Sequence, residues 1–147
     1  MSRNRFKSKG RAESGGFILF PHALYDHPSL ASLSGNSTKV LLLLMRQYRG
    51  KNNGDLSASF TQAKKIGIGS KTTLAKALRE LQEAGLVIRT REGYFTNPGG
   101  RCALYAVAWV PIDECPGKDL EVKHTTTAPL KLSSKANKKP GIDCGLS

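Results

Sequence analysis

Ser70-Lys71-Thr72-Thr73-Leu74-Ala75-Lys76-Ala77-Leu78-Arg79-Glu80-Leu81 is the stretch whose reading decides the fold. Ser70 is placed to cap a helix, because its hydroxyl oxygen can accept a bond from a free backbone N–H of the first turn. Leu74, Ala77, Leu78 and Leu81 recur at offsets of three and four, which lines them up as one apolar stripe. Gly85 stands where a helix ends on a residue able to take positive φ. The spacing therefore predicts a helix over residues 70–84. Its other face carries Lys71, Thr72, Thr73, Lys76 and Arg79, short hydroxyls and long cations of the kind that bond base edges and phosphates.

Upstream, Phe60-Thr61-Gln62-Ala63-Lys64-Lys65-Ile66 is long enough for two helical turns, with Ser57 or Ser59 as its cap. Gly67-Ile68-Gly69 then joins the two helices in three residues, the length of the turn in a helix-turn-helix. Downstream, Leu86-Val87-Ile88-Arg89-Thr90-Arg91 and residues 102–110 read as two β-strands. Residues 92–101 between them hold Gly93, Asn97, Pro98, Gly99 and Gly100, a glycine-rich loop. The order is helix, turn, helix, strand, loop, strand. The expected fold class is mainly α with a small β-sheet, a winged helix-turn-helix with flexible basic N- and C-terminal tails.

The chain resembles bacterial winged-helix DNA-binding proteins over roughly residues 17–111. The residues that carry the likeness are Phe20-Pro21-His22-Ala23-Leu24, Gly50-Lys51-Asn52-Asn53-Gly54-Asp55-Leu56-Ser57 and Leu78-Arg79-Glu80-Leu81-Gln82-Glu83-Ala84-Gly85-Leu86-Val87. In wording it is similar to small proteins of phages, plasmids and integrated elements, akin to the N-terminal domains of some replication initiators. The resemblance implies a protein of a mobile element that acts on DNA. A replication initiator would usually carry a second winged-helix domain, and 147 residues are too few for two. That departure favours an autonomous regulator or accessory protein.

The formal charge is +12, with a pI near 9.9. A surface of that sign attracts nucleic acid or anionic lipid and says little about fold. Residues 1–16 carry a net +4, residues 17–113 a net +6 and residues 114–147 a net +2, so the globular part is basic in itself. Surplus Lys and Arg also keep small proteins soluble, but here they gather around one motif. The three cysteines, Cys102, Cys115 and Cys144, form no closely spaced pair, and His124 lies nine residues beyond Cys115. No structural metal is expected from such spacing. No segment approaches the ~20 apolar residues that cross a bilayer, and no hydrophobic signal core follows the charged start. The expectation is a cytoplasmic protein with free thiols, no membrane partner and no cofactor.

Residues 1–16 alternate cations with Ser, Gly and Asn and are expected to form a disordered basic arm. Phe17-Ile18-Leu19-Phe20 is a short apolar run ending at Pro21, which can open a short helix through Leu24 and Tyr25. Residues 29–34 add another turn, and Gly35 with Asn36 is expected to break it. Ser37 or Thr38 then caps the most apolar helix, residues 39–48. Val40-Leu41-Leu42-Leu43-Leu44-Met45 has no polar face, so this helix is central to the domain or shared with a partner, central burial being preferred. Asp55-Leu56-Ser57 is expected to pair as a short strand beside the hairpin. Beyond Pro111 periodicity is lost, which places the domain at 17–113 and a polar, flexible tail at 114–147. Leu120, Val122, Leu130 and Leu132 could dock part of that tail; the sequence leaves this open.

Catalytic constellations are missing from the text. Gly69-Ser70-Lys71-Thr72 fails as a phosphate loop, since the two required glycine positions hold Ser70 and Lys65. His22, His27 and His124 have no Ser or Cys at suggestive spacing, and no acidic cluster offers a magnesium site. Glu80 and Glu83 are expected to pair with Lys76 and Arg79 along the helix surface. No enzyme is expected. No ligand pocket is evident, so a small-molecule effector has no support.

The functional expectation is a double-stranded DNA-binding protein, a transcriptional regulator or a replication or maintenance factor of a phage, plasmid or integrated element. Helix 70–84 would enter the major groove, with Ser70 capping it and Thr72, Thr73 and Lys76 at base edges. Lys71 and Arg79 would take bases or phosphates, and Lys64 and Lys65 the flanking backbone. Arg89, Arg91 and Arg101 on the hairpin, residues 86–110, would lie along the minor groove or its phosphates. Dimerisation is expected on general grounds, through residues 40–45 or the tail. The alternative is a winged-helix protein-interaction module, such as a phage-encoded inhibitor of a nucleic-acid machine. RNA binding through the tails is a third reading, disfavoured because Tyr94 and Phe95 alone make no stacking platform.

Overall fold

A computed structural model describes residues 16–95 and 100–132. The expected basic arm up to residue 15, the loop residues 96–99 and the expected tail from residue 133 lie outside the described residues. The described chain is mixed α/β. Its helices are α1 (His22–Tyr25), α2 (Pro28–Ala31), α3 (Gly35–Gln47), α4 (Phe60–Lys65) and α5 (Lys71–Glu83). Its strands are β1 (Val87–Arg91), β2 (Tyr94–Phe95), β3 (Gly100–Arg101) and β4 (Leu104–Val107).

Helix α3 is the centre. Val40, Leu41 and Leu44 are fully buried and Met45 nearly so, while Leu42 on the outer side is 36% exposed. They pack against Leu74, Ala77, Leu78 and Leu81 of α5, Leu56, Leu86, Val87, Tyr105 and Val107. Each Leu fully buried in this way contributes ~1.5–3 kcal/mol. The start of α3 corrects the sequence expectation. Ser34, not Ser37 or Thr38, is the cap, accepting from the Ser37 amide at 3.2 Å, and Gly35 and Asn36 form the first turn rather than a break. The reason is tertiary: Glu80 of α5 binds Ser34 and sets where the helix begins.

Helices α4 and α5 end with the same device. After α4, the Gly67 amide donates to Lys64 O (3.1 Å) and the Ile68 amide to Ala63 O (3.1 Å). After α5, Gly85 donates to Gln82 O (3.0 Å) and Leu86 to Leu81 O (3.1 Å). This is the Schellman arrangement, which needs positive φ at the residue just past the cap. Gly67 and Gly85 supply it, with φ of 95° and 78°. In both cases the next residue, Ile68 or Leu86, plunges into the core. The starts match as well. Ser59 forms a capping box with Gln62, and Ser70 accepts from the Thr73 amide at 3.1 Å, each cap contributing ~1 kcal/mol.

Strands β1 and β4 pair antiparallel, with Val87 opposite Val107, Ile88 opposite Ala106 and Arg89 opposite Tyr105. The register shifts between Arg89 and Arg91, so Thr90 bulges. Leu56 adds one antiparallel bridge to Tyr105, with bonds of 3.2 and 2.7 Å, where a first short strand was expected. β2 and β3 extend the hairpin outward as a separate pair. Residues 112–132 then run back over the body and bond to it at intervals. Asn53 and Asp113 exchange bonds of 2.8 Å, the Glu121 amide donates to Thr90 O (2.7 Å), and the Leu130 amide donates to Ala108 O (2.8 Å). Leu130 and Leu132 rest against the core. Among the described residues no helix is long and apolar enough to cross a membrane.

Candidate nucleic-acid interface

With Leu74, Ala77, Leu78 and Leu81 turned inward, helical geometry sends Lys71, Thr72, Ala75, Lys76, Arg79 and Glu83 outward, and all six are exposed. No acidic residue lies in the first turn of α5. The helix therefore presents its own partial positive end together with Lys71, with no acid in that turn to offset it. Ser70 is exposed but occupied: its oxygen accepts from the Thr73 amide and lies 2.9 Å from the Thr73 hydroxyl. Thr73 is half-buried and serves the cap, whereas Thr72 is exposed and free of such bonds among the described residues.

The two acids of α5 do not sit as expected. Glu80 was read as a surface partner of Lys76 and Arg79. It instead accepts from the Ser34 amide (3.0 Å), the Ser34 hydroxyl (2.8 Å) and the Ser37 hydroxyl. Those bonds, from Ser37 first and then Ser34, hold its carboxyl below the ordinary value. The serine contact wins because an ionised carboxylate gains more from three donors at a helix start than from a solvated lysine. Among the described residues Lys76 and Arg79 make no ion pair or side-chain hydrogen bond, and neither do Lys64, Lys65 and Lys71. Lys64 and Lys65 close α4 and are exposed beside the turn that leads into α5.

Arg79 links two surfaces. With Thr73, Lys76, Ser34 and Asn36 it lines a groove on the α3 side of α5. With Ala75, Arg89 and Tyr105 it lines another, between α5 and the hairpin. The fold thus brings Arg79 and Arg89 to one groove. Arg89 is exposed and, among the described residues, its side chain makes a single 3.7 Å pair, with Glu92.

The other two hairpin cations are engaged. Arg91 donates to Cys102 O from Nε (3.2 Å) and Nη2 (2.7 Å), and to Lys118 O from Nη1 (3.0 Å). Arg101 pairs with Glu121 at 2.8 Å, donates to Glu92 O at 3.2 Å, and lies 5.1 Å over the Tyr94 ring. The partners of both reside in residues 92–121, and nothing in the local spacing of either arginine points to them. Among the described residues no group of three or more His, Cys, Asp or Glu is placed to hold a metal ion.

Comparisons with protein-family models, with curated proteins and with solved structures return no match to this chain.

Proposed function

We propose that this chain is a double-stranded DNA-binding protein of the winged helix-turn-helix type, acting as a regulator or as a replication or maintenance factor of a phage, plasmid or integrated element. The observation that carries the reading is the outer face of α5: Lys71, Thr72, Lys76 and Arg79 are exposed and unpaired among the described residues, while the inner face is locked to α3. A stiff helix with free cations at its N-terminal half is suited to a major groove, which admits an α-helix and offers acceptors at guanine and adenine edges.

In this reading α5 enters the groove and α4 crosses the backbone. Thr72, Thr73 and Lys76 approach base edges, Lys71 and Arg79 take bases or phosphates, and Lys64 and Lys65 hold the flanking strand. The β1–β4 hairpin is the wing, with Arg89 facing the same groove as Arg79 and with Arg91 and Arg101 farther along it. The chemistry is recognition, with no bond made or broken.

Selection from a random duplex library tests the proposal. One enriched motif is expected, with binding that falls by ~10³–10⁵ between about 50 and 200 mM salt if six to ten phosphates are contacted. The double variant Lys76→Ala/Arg79→Ala should keep its fold and lose preference for that motif. No enrichment at low salt, or unchanged selectivity in the double variant, contradicts the reading. The observation favouring a protein-binding winged helix instead is an apolar strip. Phe17 and Leu19 are 80% and 74% exposed, beside Trp109 and Tyr48. That reading predicts an empty selection.

A further inference from the structure

Glu121 reaches the hairpin from the returning C-terminal segment. Its backbone amide donates to Thr90 O at 2.7 Å, which lays the segment beside β1. Its Oε2 then accepts twice, from the Glu92 amide at 3.1 Å and from Arg101 Nη2 at 2.8 Å. A guanidinium and a main-chain N–H converge on one anionic oxygen. That is the donor set that holds a phosphate oxygen in protein–DNA contacts.

Arg101 is held in place by more than this carboxylate. Its Nε donates to Glu92 O at 3.2 Å, and its guanidinium lies over the Tyr94 ring. Both contacts survive if the carboxylate swings away. The segment carrying Glu121 is likewise anchored without it, through the Glu121 amide and the Leu130 amide. Only the Glu121 side chain has to move.

We propose that Arg101 and the Glu92 amide form a phosphodiester site of the duplex interface, and that the Glu121 carboxylate occupies this site in the free protein. The proposal rests on the duplex-binding reading and adds an internal competitor to it. The Arg101 and Glu121 side chains are 27% and 50% exposed, so their pair is hydrated and weak. A DNA phosphate, one of many along a charged backbone, can displace it. The consequence is that binding is damped until a duplex lies close enough to exchange one anion for another.

The test is Glu121→Gln in the full chain, with affinity for a duplex of about 20 base pairs read by fluorescence anisotropy across a salt series. Gln keeps an acceptor for the Glu92 amide and removes the charge. Binding is expected to tighten about twofold to fivefold, since an exposed pair is worth at most about fivefold. The slope of log affinity against log salt should steepen by about one phosphate contact. Adding Arg101→Ala should cancel both gains. Unchanged affinity and slope overturn the proposal while leaving duplex binding intact. Weaker binding by Glu121→Gln also overturns it, since the carboxylate would then be positioning Arg101 for DNA. If the parent protein binds no duplex, the duplex reading falls first and this proposal with it. Should the Gln variant not fold, Glu121→Asp, which draws the carboxylate back by one methylene, is expected to shift affinity in the same direction; no shift then overturns the proposal.

Discussion

Ser34 and Glu80 stand 46 residues apart in the chain and meet through two hydrogen bonds, amide to carboxylate at 3.0 Å and hydroxyl to carboxylate at 2.8 Å. The contact ties the N-cap of α3 to the last turn of α5. It places an anion at the positive end of one helix while that anion still lines the groove that holds Lys76 and Arg79. The Glu80 carboxylate oxygens are spent on the serines, so it makes no direct bond to Lys76 or Arg79 among the described residues, although the Lys76 charge still acts on it.

Protonating Glu80 should loosen that tie. Hydrogen bonds from Ser37 and Ser34 lower its folded-state pKa, so the fold favours the ionised form. The stabilisation is fully present above the ordinary carboxyl value and is lost as pH falls through the lowered one. Denaturant unfolding of the parent and of Glu80→Gln from about pH 7 to pH 3 checks this. The parent should be the more stable at neutral pH, and the gap should shrink on acidification. A gap that stays constant to the acid end contradicts the assignment.

Asn53 is fully buried and saturates four backbone groups. The two hydrogens of its Nδ2 are shared among Val107 O (3.0 Å), Val110 O (3.1 Å) and Pro111 O (3.0 Å), and its Oδ1 accepts from the Val107 amide (2.8 Å). Asn53→Ala leaves the buried Val107 amide and carbonyl without these partners and should cost about 2–3 kcal/mol, read as a lower denaturation midpoint. Asn53→Asp should be at least as damaging, because a carboxylate would face three carbonyl oxygens. A loss under about 1 kcal/mol would mean that water replaces the amide.

What was legible in the sequence is what repeats locally. The stripe 74, 77, 78 and 81, the Ser70 cap and the Gly85 stop each depend on neighbours within one or two turns, and each appears in the fold. The Leu56 bridge was legible because its edge position follows from chain order. The start of α3 was not, since Gly35 and Asn36 carry turn chemistry and only the distant Glu80 makes Ser34 the cap. The course of residues 112–132 was equally hidden. They attach by single backbone bonds, by side-chain bonds from Asp113, Lys118 and Glu121, and by a few scattered leucines, and none of these leaves a period to read. For the same reason nothing in the text separates Arg89, with one exposed neighbour, from Arg91 and Arg101, held by carbonyls and by Glu121.

Central burial of α3 makes a graded prediction along one helix. Leu44 is fully buried and Leu42 is 36% exposed. Leu44→Ala should cost about 2–5 kcal/mol, through lost transfer energy and a cavity, whereas Leu42→Ala should stay within about 0.5–1 kcal/mol. Calorimetric melting at two protein concentrations separates burial from a shared interface. A large loss at Leu42, dependent on concentration, would place that side of α3 under a second copy.

Lys64 and Lys65 make no ion pair among the described residues, so their removal should leave the fold alone. The double variant Lys64→Ala/Lys65→Ala should melt within about a degree or two of the parent, as surface substitutions do. In the duplex reading it should weaken binding to every sequence alike and lower the salt slope by up to about two contacts. Salt-dependent anisotropy on matched and mismatched duplexes decides it. A loss confined to the preferred sequence would mean that these lysines reach bases.

Arg89 and Arg91, two residues apart on β1, should respond in opposite ways. The Arg89 pair with Glu92 is long, and both side chains are largely exposed, so Arg89→Ala should leave the melting temperature unchanged. Because Arg89 shares a groove with Arg79, its loss should lower the salt slope of duplex binding by about one. Arg91 bridges Cys102 O on the hairpin and Lys118 O on the returning segment, so Arg91→Ala leaves carbonyls without a donor. The expected cost is about 1 kcal/mol, the usual charged-donor figure discounted for partial exposure. Faster amide hydrogen exchange around residues 118–121 should accompany it, with little change in salt slope. If Arg91→Ala instead melts like the parent and loses a phosphate contact, its carbonyl bonds are exchanged for DNA on binding, and the returning segment keeps its other anchors at Asp113, Lys118, Glu121 and Leu130.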